Sequence, residues 1–170
     1  MYKRQQQYEV LFGPLDATEP TSITIDATSD ARYVGLLLEG SGSQVVIEPA
    51  ASEWDLVFTQ YTHVFDLDGE ATPYLVTGVL LNGAGVLSAI DTTNAFEDAS
   101  RNQLPTLLPA ANTIGYDWKW FDFDAGGFLM RNDRHYLLQT IEQRLYKLRF
   151  IDFYTNTGVK GAPTFEFQEL

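Results

Sequence analysis

No cysteine occurs among the 170 residues. Disulfides, thiolate metal sites and cysteine nucleophiles are therefore excluded. Histidine and methionine are scarce, two of each. Imidazole and thioether donors reduce to His63, His135, Met1 and Met130, besides tyrosine phenols. Basic residues are also few, 11 against 23 acidic ones, for a net charge of −12. That balance opposes nucleic acid, whose affinity comes largely from cations on phosphate. It equally opposes docking on anionic lipid. No apolar run is long enough for a transmembrane segment.

The signatures of catalysis are missing too. No serine stands in a G-x-S-x-G elbow. No H-E-x-x-H motif offers a zinc site, and Gly83-Ala84-Gly85 lacks the lysine and helix of a phosphate loop. Carboxylate pairs occur in any chain this acidic and single out no acid–base dyad. The expectation is a protein that is not an enzyme. Helical periodicity is nowhere sustained, which leaves little helix to expect.

What the chain does have is strand chemistry. At 45 % hydrophobic residues it is no disordered tail. Its length suits one domain, able to bury roughly two-thirds of the unfolded surface. Tyr8–Phe12 and Ser22–Asp26 read as short strands, the second alternating around Ile23 and Ile25. Residues 32–38 and 44–48 read as a hairpin about Gly40-Ser41-Gly42-Ser43, ended by Pro49. Residues 54–65 place Trp54, Leu56 and Phe58 on one face and Tyr61, His63 and Phe65 on the other. Residues 66–72 are polar and read as a loop. Residues 73–81 are apolar on both faces, as in a covered central strand, and Asn82-Gly83 reads as a hairpin turn.

Residues 91–112 are the least strand-like. They read as a long excursion or lid, with one or two helical turns over 95–101, and long loops in compact domains are often functional. Residues 114–123, 128–131, 135–140, 144–154 and 164–170 are strands again, with Asn132-Asp133 as a two-residue turn. The sum predicts an all-β, single-domain antiparallel β-sandwich or open barrel over 6–170. Met1-Tyr2-Lys3-Arg4-Gln5 reads as a translated sequencing adaptor, so residues 1–5 are expected to be non-native. A signal peptide and a lipid-anchoring cysteine then have room upstream.

Candidate binding residues follow from donor chemistry. Across an Asn132-Asp133 turn, Met130 and His135 would face each other with Cβ atoms ~4.5–5.5 Å apart. His63, from another strand, could face either of them. The bland alternative makes His63 a half-buried strand residue and His135 a surface one. Tyr116, Trp118 and Trp120 fall on one face of a strand. Exposed, they form a platform for a sugar or porphyrin ring, and buried, they form core. Asp66-Leu67-Asp68-Gly69-Glu70 carries oxygen donors that calcium prefers, without the full ligand run of a calcium loop. Asp122, Asp124 and Gly126-Gly127 form a second acidic turn. No metal ligand is assigned.

Three blocks, in this order and spacing, resemble the HmuY family, haem-binding lipoproteins of Bacteroidetes. They are Ile23-Thr24-Ile25-Asp26-Ala27, Trp54-Asp55-Leu56-Val57-Phe58 followed by Tyr61, and Phe150-Ile151-Asp152-Phe153-Tyr154 with Gly158-Val159-Lys160-Gly161 and Thr164-Phe165-Glu166-Phe167. The resemblance spans residues 23–170. It implies an all-β fold and a cell-surface, outer-membrane lipoprotein or secreted protein that binds haem or another porphyrin for iron acquisition. In the best-known member two histidines clamp the iron. Here the stretch after Trp118 reads Lys119-Trp120-Phe121-Asp122-Phe123-Asp124, and the central excursion holds no histidine or methionine. No ligand residue is carried over from the family; if haem is the ligand as the resemblance implies, the donors this chain offers for it are His63 facing His135 or Met130. The alternative is a carbohydrate- or protein-binding β-module that kept the fold without haem.

Overall fold

The computed structural model describes residues 7–16, 18–28, 33–103 and 105–170. The adaptor-like residues 1–5 and Arg32 lie outside the described residues. The chain is all-β and antiparallel, and no sheet closes into a barrel among the described residues. It gathers into two compact units, residues 1–54 and 55–170.

In the first unit, β1 (Gln7–Phe12) pairs with β2 (Thr21–Asp26), and β3 (Gly35–Leu37) with β4 (Ser43–Val45). Ile25 is buried while Ser22 and Thr24 are exposed, as alternation requires. The Gln44 amide ties β4 to β2 through both its ends. Its oxygen accepts the Asp26 N–H and its nitrogen donates to the Asp26 carbonyl, each at 2.9 Å. The hairpin expected over 32–48 is present but shorter, with three residues to a strand. Val46 and Ile47 beyond it are exposed, so no packing extends the pairing.

The second unit contains β5 (Leu56–Leu67), β6 (Glu70–Leu81), β7 (Leu87–Asp91), β8 (Lys119–Asp122), β9 (Gly127–Met130), β10 (His135–Gln139), β11 (Leu145–Tyr154) and β12 (Lys160–Glu169). β5 and β6 form a long hairpin in unbroken register. Its turn is Asp68-Gly69, with φ of 56° and 86°. Two successive positive φ values match the twist of a two-residue hairpin. The stretch 66–72, expected as a loop, is thus mostly strand. The Asp66 carboxylate accepts the Gly69 N–H at 2.8 Å and shapes the turn.

β7 does not return along β6. It joins a four-stranded sheet in the order β12-β11-β10-β7. Asn82-Gly83 therefore makes a corner between sheets rather than the expected hairpin turn. The buried Asn82 side chain accepts the Ala84 N–H at 3.0 Å, and its carbonyl accepts the Val86 N–H at 3.3 Å. β8 and β9 form a separate hairpin. Its turn is organised by Asp122, whose carboxylate accepts the N–H groups of Asp124 and Ala125.

Pleating gives the four-stranded sheet two different faces. Tyr136, Leu138, Leu148 and Phe150 point to one, where they meet Val79 and Leu81 of β6, Ile114, Trp118 and Phe153. The Trp118 indole stacks on Phe150 at 4.1 Å and 15°. His135, Leu137, Lys147 and Arg149 occupy the alternate positions.

The excursion after β7 packs on that second set. Of the expected helical turns it keeps one, where Asp98 and Ala99 N–H both reach the Ala95 carbonyl, followed by a 3-10 turn at Arg101–Gln103. Lys147, buried, donates to the carbonyls of Phe96 (2.7 Å), Glu97 (3.2 Å) and Ala99 (3.5 Å). The chain then returns along two strand edges. Leu108 exchanges both backbone hydrogen bonds with Ser88 of β7. Ala111 accepts from Leu81, and Gly115 exchanges bonds with Val79 of β6. The excursion is a clasp joining the two strands, and in that position it is not a free lid.

Candidate functional site

Alternation along β5 turns Tyr61, His63 and Phe65 to one face, half-buried, and leaves Gln60, Thr62 and Val64 exposed. Register places Tyr74 directly opposite His63, and direct partners share a face. Tyr116 reaches the same face from the return segment, fixed by the Gly115–Val79 bridge at 2.8 and 3.0 Å. That approach requires two glycines. A Cβ on Gly78 would lie 2.5 Å from the Gly115 carbonyl oxygen, and Gly115 itself has a φ of +64°.

The result is an aromatic cluster with one imidazole in it. The His63 ring lies 4.7 Å from both Phe65 and Tyr116. Phe65 is 5.6 Å from Tyr116 and 6.2 Å from Tyr74. Tyr74 is 64 % exposed, so the cluster is open to a ligand at that side. Burial raises the Tyr61 phenol, helped by Tyr116 and Asp117. Burial raises Tyr116 as well, helped by Asp117 and opposed by Arg131. Both remain neutral phenols at neutral pH, which disfavours them as phenolate ligands.

The other candidate residues are dispersed. The expected strand over 114–123 begins only at Lys119, so Tyr116, Trp118 and Trp120 do not form one stripe. Turns at 111–117 break the alternation before β8 starts. Tyr116 joins His63, Trp118 is core at 1 % exposure, and Trp120 is 41 % exposed opposite Leu129. The Met130–His135 cross-strand pair is not formed. Met130 is paired with Lys119 and His135 with Asp91, because β9 and β10 belong to different sheets. Met130 packs against the core.

His135 is buried, 2 % exposed, and so is not the surface residue of the bland reading. Its Nε2 stands 3.4 Å from the Asp91 carboxylate, without hydrogen-bond geometry. Its ring meets the edge of Phe96 at 5.7 Å. Burial holds the imidazole below its ordinary value, against the pull of Asp91, so it is neutral at pH 7. Burial pushes the Asp91 carboxyl up, but hydrogen bonds from Asn94 and the Thr93 and Asn94 N–H groups outweigh it and leave it lowered. These bonds also start the excursion.

Sequence reasoning missed Lys119. Its side chain is 7 % exposed, and its Nζ donates to the carbonyls of Thr77 (2.6 Å) and Tyr116 (3.3 Å). The ammonium lies over Trp118 at 4.1 Å and Phe153 at 4.8 Å. The one signal available was a lysine inside an aromatic run, which is ambiguous because such side chains usually extend to solvent. Among the described residues, no group of three or more histidine, aspartate or glutamate side chains is arranged to hold a metal ion. The sequence matches no protein-family model, and comparison with curated proteins likewise gives no match.

Proposed function

We propose that this protein is an HmuY-like ligand-binding β-module of the cell surface or a secretion, and that it takes haem or another porphyrin on the aromatic face around His63. The observation that carries the reading is the His63 imidazole between Phe65 and Tyr116, beside the exposed Tyr74 ring. A porphyrin needs an axial donor and an apolar wall, and this cluster has both. His63 would be the single protein donor, since His135 is sealed beneath Phe96 and Met130 belongs to the core. The iron would therefore be held from one side, unlike a bis-histidine clamp.

A second reading has its own observation. Trp120 and Leu129 share a face of the β8–β9 hairpin, both about two-fifths exposed, and Phe123 is 88 % exposed at its turn. Such a shelf suits a sugar ring or a protein partner. An absorbance titration of the whole chain with ferric haem separates the two, run beside His63→Ala and Trp120→Ala. The expected result is a Soret shift that saturates at one equivalent, lost in His63→Ala and kept in Trp120→Ala. A wild-type titration without saturation, or one unchanged by His63→Ala, rejects the porphyrin reading and turns the search to sugars and proteins at Trp120.

A further inference from the structure

A cleft of about 470 Å³ opens where the 94–97 turn meets β10 and β11. Three arginines line it, Arg131, Arg134 and Arg149, in a chain of only 11 basic residues and a net charge of −12. Two are already committed. Arg149 pairs with Glu166 and, at 3.1 Å, with Glu97, and its guanidinium covers the Phe96 ring at 4.3 Å. Arg134 pairs with Asp117 at 2.8 Å and Asp133 at 3.2 Å.

Arg131 differs from both. Among the described residues its guanidinium has no ion pair and no hydrogen bond, and its Nε is shut off from solvent with no acceptor. A buried donor left without an acceptor costs free energy, and the oxygen of an anion seated in the cleft would satisfy it. Glu97, Asp133 and Glu166 balance the three arginines of the lining in formal charge, and of those arginines Arg131 alone makes no ion pair among the described residues. Phe96, Phe150 and Ile151 supply apolar lining, and Asn94 and Asn132 add amides.

We infer that this cleft binds a small organic monocarboxylate, with the carboxylate on Arg131 and the apolar body against Phe96 and Ile151. A guanidinium presents a planar fork that a carboxylate matches with two parallel hydrogen bonds. A phosphate dianion fits less well, because its second charge would meet Glu97, Asp133 and Glu166. The inference uses none of His63, Phe65, Tyr74 and Tyr116, so it stands or falls separately from the porphyrin reading.

The test is a nitrogen–proton correlation NMR titration of the whole chain with benzoate, with benzamide and inorganic phosphate as parallel probes. Benzoate is expected to give saturable shifts at Asn94, Phe96 and Asn132, and benzamide none. Arg131→Gln is expected to weaken benzoate roughly tenfold or more, the loss of a charge-assisted pair. Arg144→Gln, which breaks a pair with Glu169 outside the cleft lining, is expected to leave binding unchanged. If Arg131→Gln loses the dispersed spectrum of a fold, Arg131→Lys decides, since it keeps the charge and loses the fork. Weakened benzoate binding by Arg131→Lys supports the assignment, and undiminished binding overturns it. Shifts that fail to saturate, shifts indifferent to Arg131→Gln, or tighter binding of phosphate than of benzoate also overturn it.

Discussion

Lys119 makes the stability of this protein depend on pH in an unusual direction. Burial against Trp118, Phe128 and Phe153 lowers its ammonium from 10.5 to about 8, with the Asp117 charge opposing the shift. Between those two values the unfolded chain holds a proton that the folded chain has released. Stability therefore rises as pH rises through that window. The burial penalty is fully present below about pH 8 and amounts to ~3 kcal/mol. Moving from pH ~7 to ~9.5 relieves about 2 kcal/mol of it. The tyrosines limit how far the measurement can go. Burial raises Tyr61, Tyr116 and Tyr136, so the folded state keeps their protons longer and loses stability once the pH passes their ordinary value. Urea unfolding at intervals from pH ~7 to ~9.5 should show the midpoint climbing. Lys119→Met should flatten the profile. A wild-type profile that is level or falling over this range, or a slope that survives Lys119→Met, refutes the reasoning.

Two further substitutions test the scaffold around the sites. Lys147→Met removes the ammonium from three excursion carbonyls and should cost about 2–4 kcal/mol. Hydrogen exchange should quicken first in the clasp near residues 96–99, and unchanged protection there would show that Lys147 does not hold it. Gly78→Ala puts a methyl 2.5 Å from the Gly115 carbonyl oxygen and 2.9 Å from the Tyr61 ring. Neither backbone can yield easily, so a loss of about 1–3 kcal/mol or more is expected in thermal melts. A melting temperature equal to the wild type's would mean that the β6–Gly115 approach is looser than described.

Much of the fold was legible because period-two alternation is a strong signal. Ile23 and Ile25 and the Tyr61-His63-Phe65 face follow it, whereas β11 is covered on both faces and bulged beyond Phe150, so that Phe153 joins Leu148 and Phe150 in the core. Turn chemistry was harder to read. Asp68-Gly69 lay within a polar run and was absorbed into a loop, although it is the residue pair that a two-residue hairpin favours. Asn82-Gly83 and Asn132-Asp133 have the same local character, yet each connects strands of different sheets. Nothing local in sequence separates a hairpin turn from a corner, since the difference lies in which distant strand pairs next. The same limit explains the sites. His63 and Phe65 were readable as neighbours on one strand, but Tyr116 joins them only through the Gly115–Val79 bridge. The Asp91–His135 partnership and the burial of Lys119 and Lys147 likewise depend on long-range pairing.

The clasp has a consequence for the strand edges that it covers. An uncovered strand edge is a template for another chain, and pairing along it is a route to aggregates. Leu108 occupies the outer side of β7 at Ser88, and residues 111–115 occupy the side of β6 that β5 leaves free. Two apolar strands, Leu80-Leu81 and Leu87-Ser88-Ala89-Ile90, are thereby denied to a neighbouring molecule. The remaining outer strand of the four-stranded sheet, β12, is guarded by other means. Pro163 has no N–H to offer, and Lys160, Glu166 and Glu169 place charge along the strand. Along β6 and β7 the chain covers apolar edges with its own backbone, and along β12 it leaves an edge open but makes it a poor template.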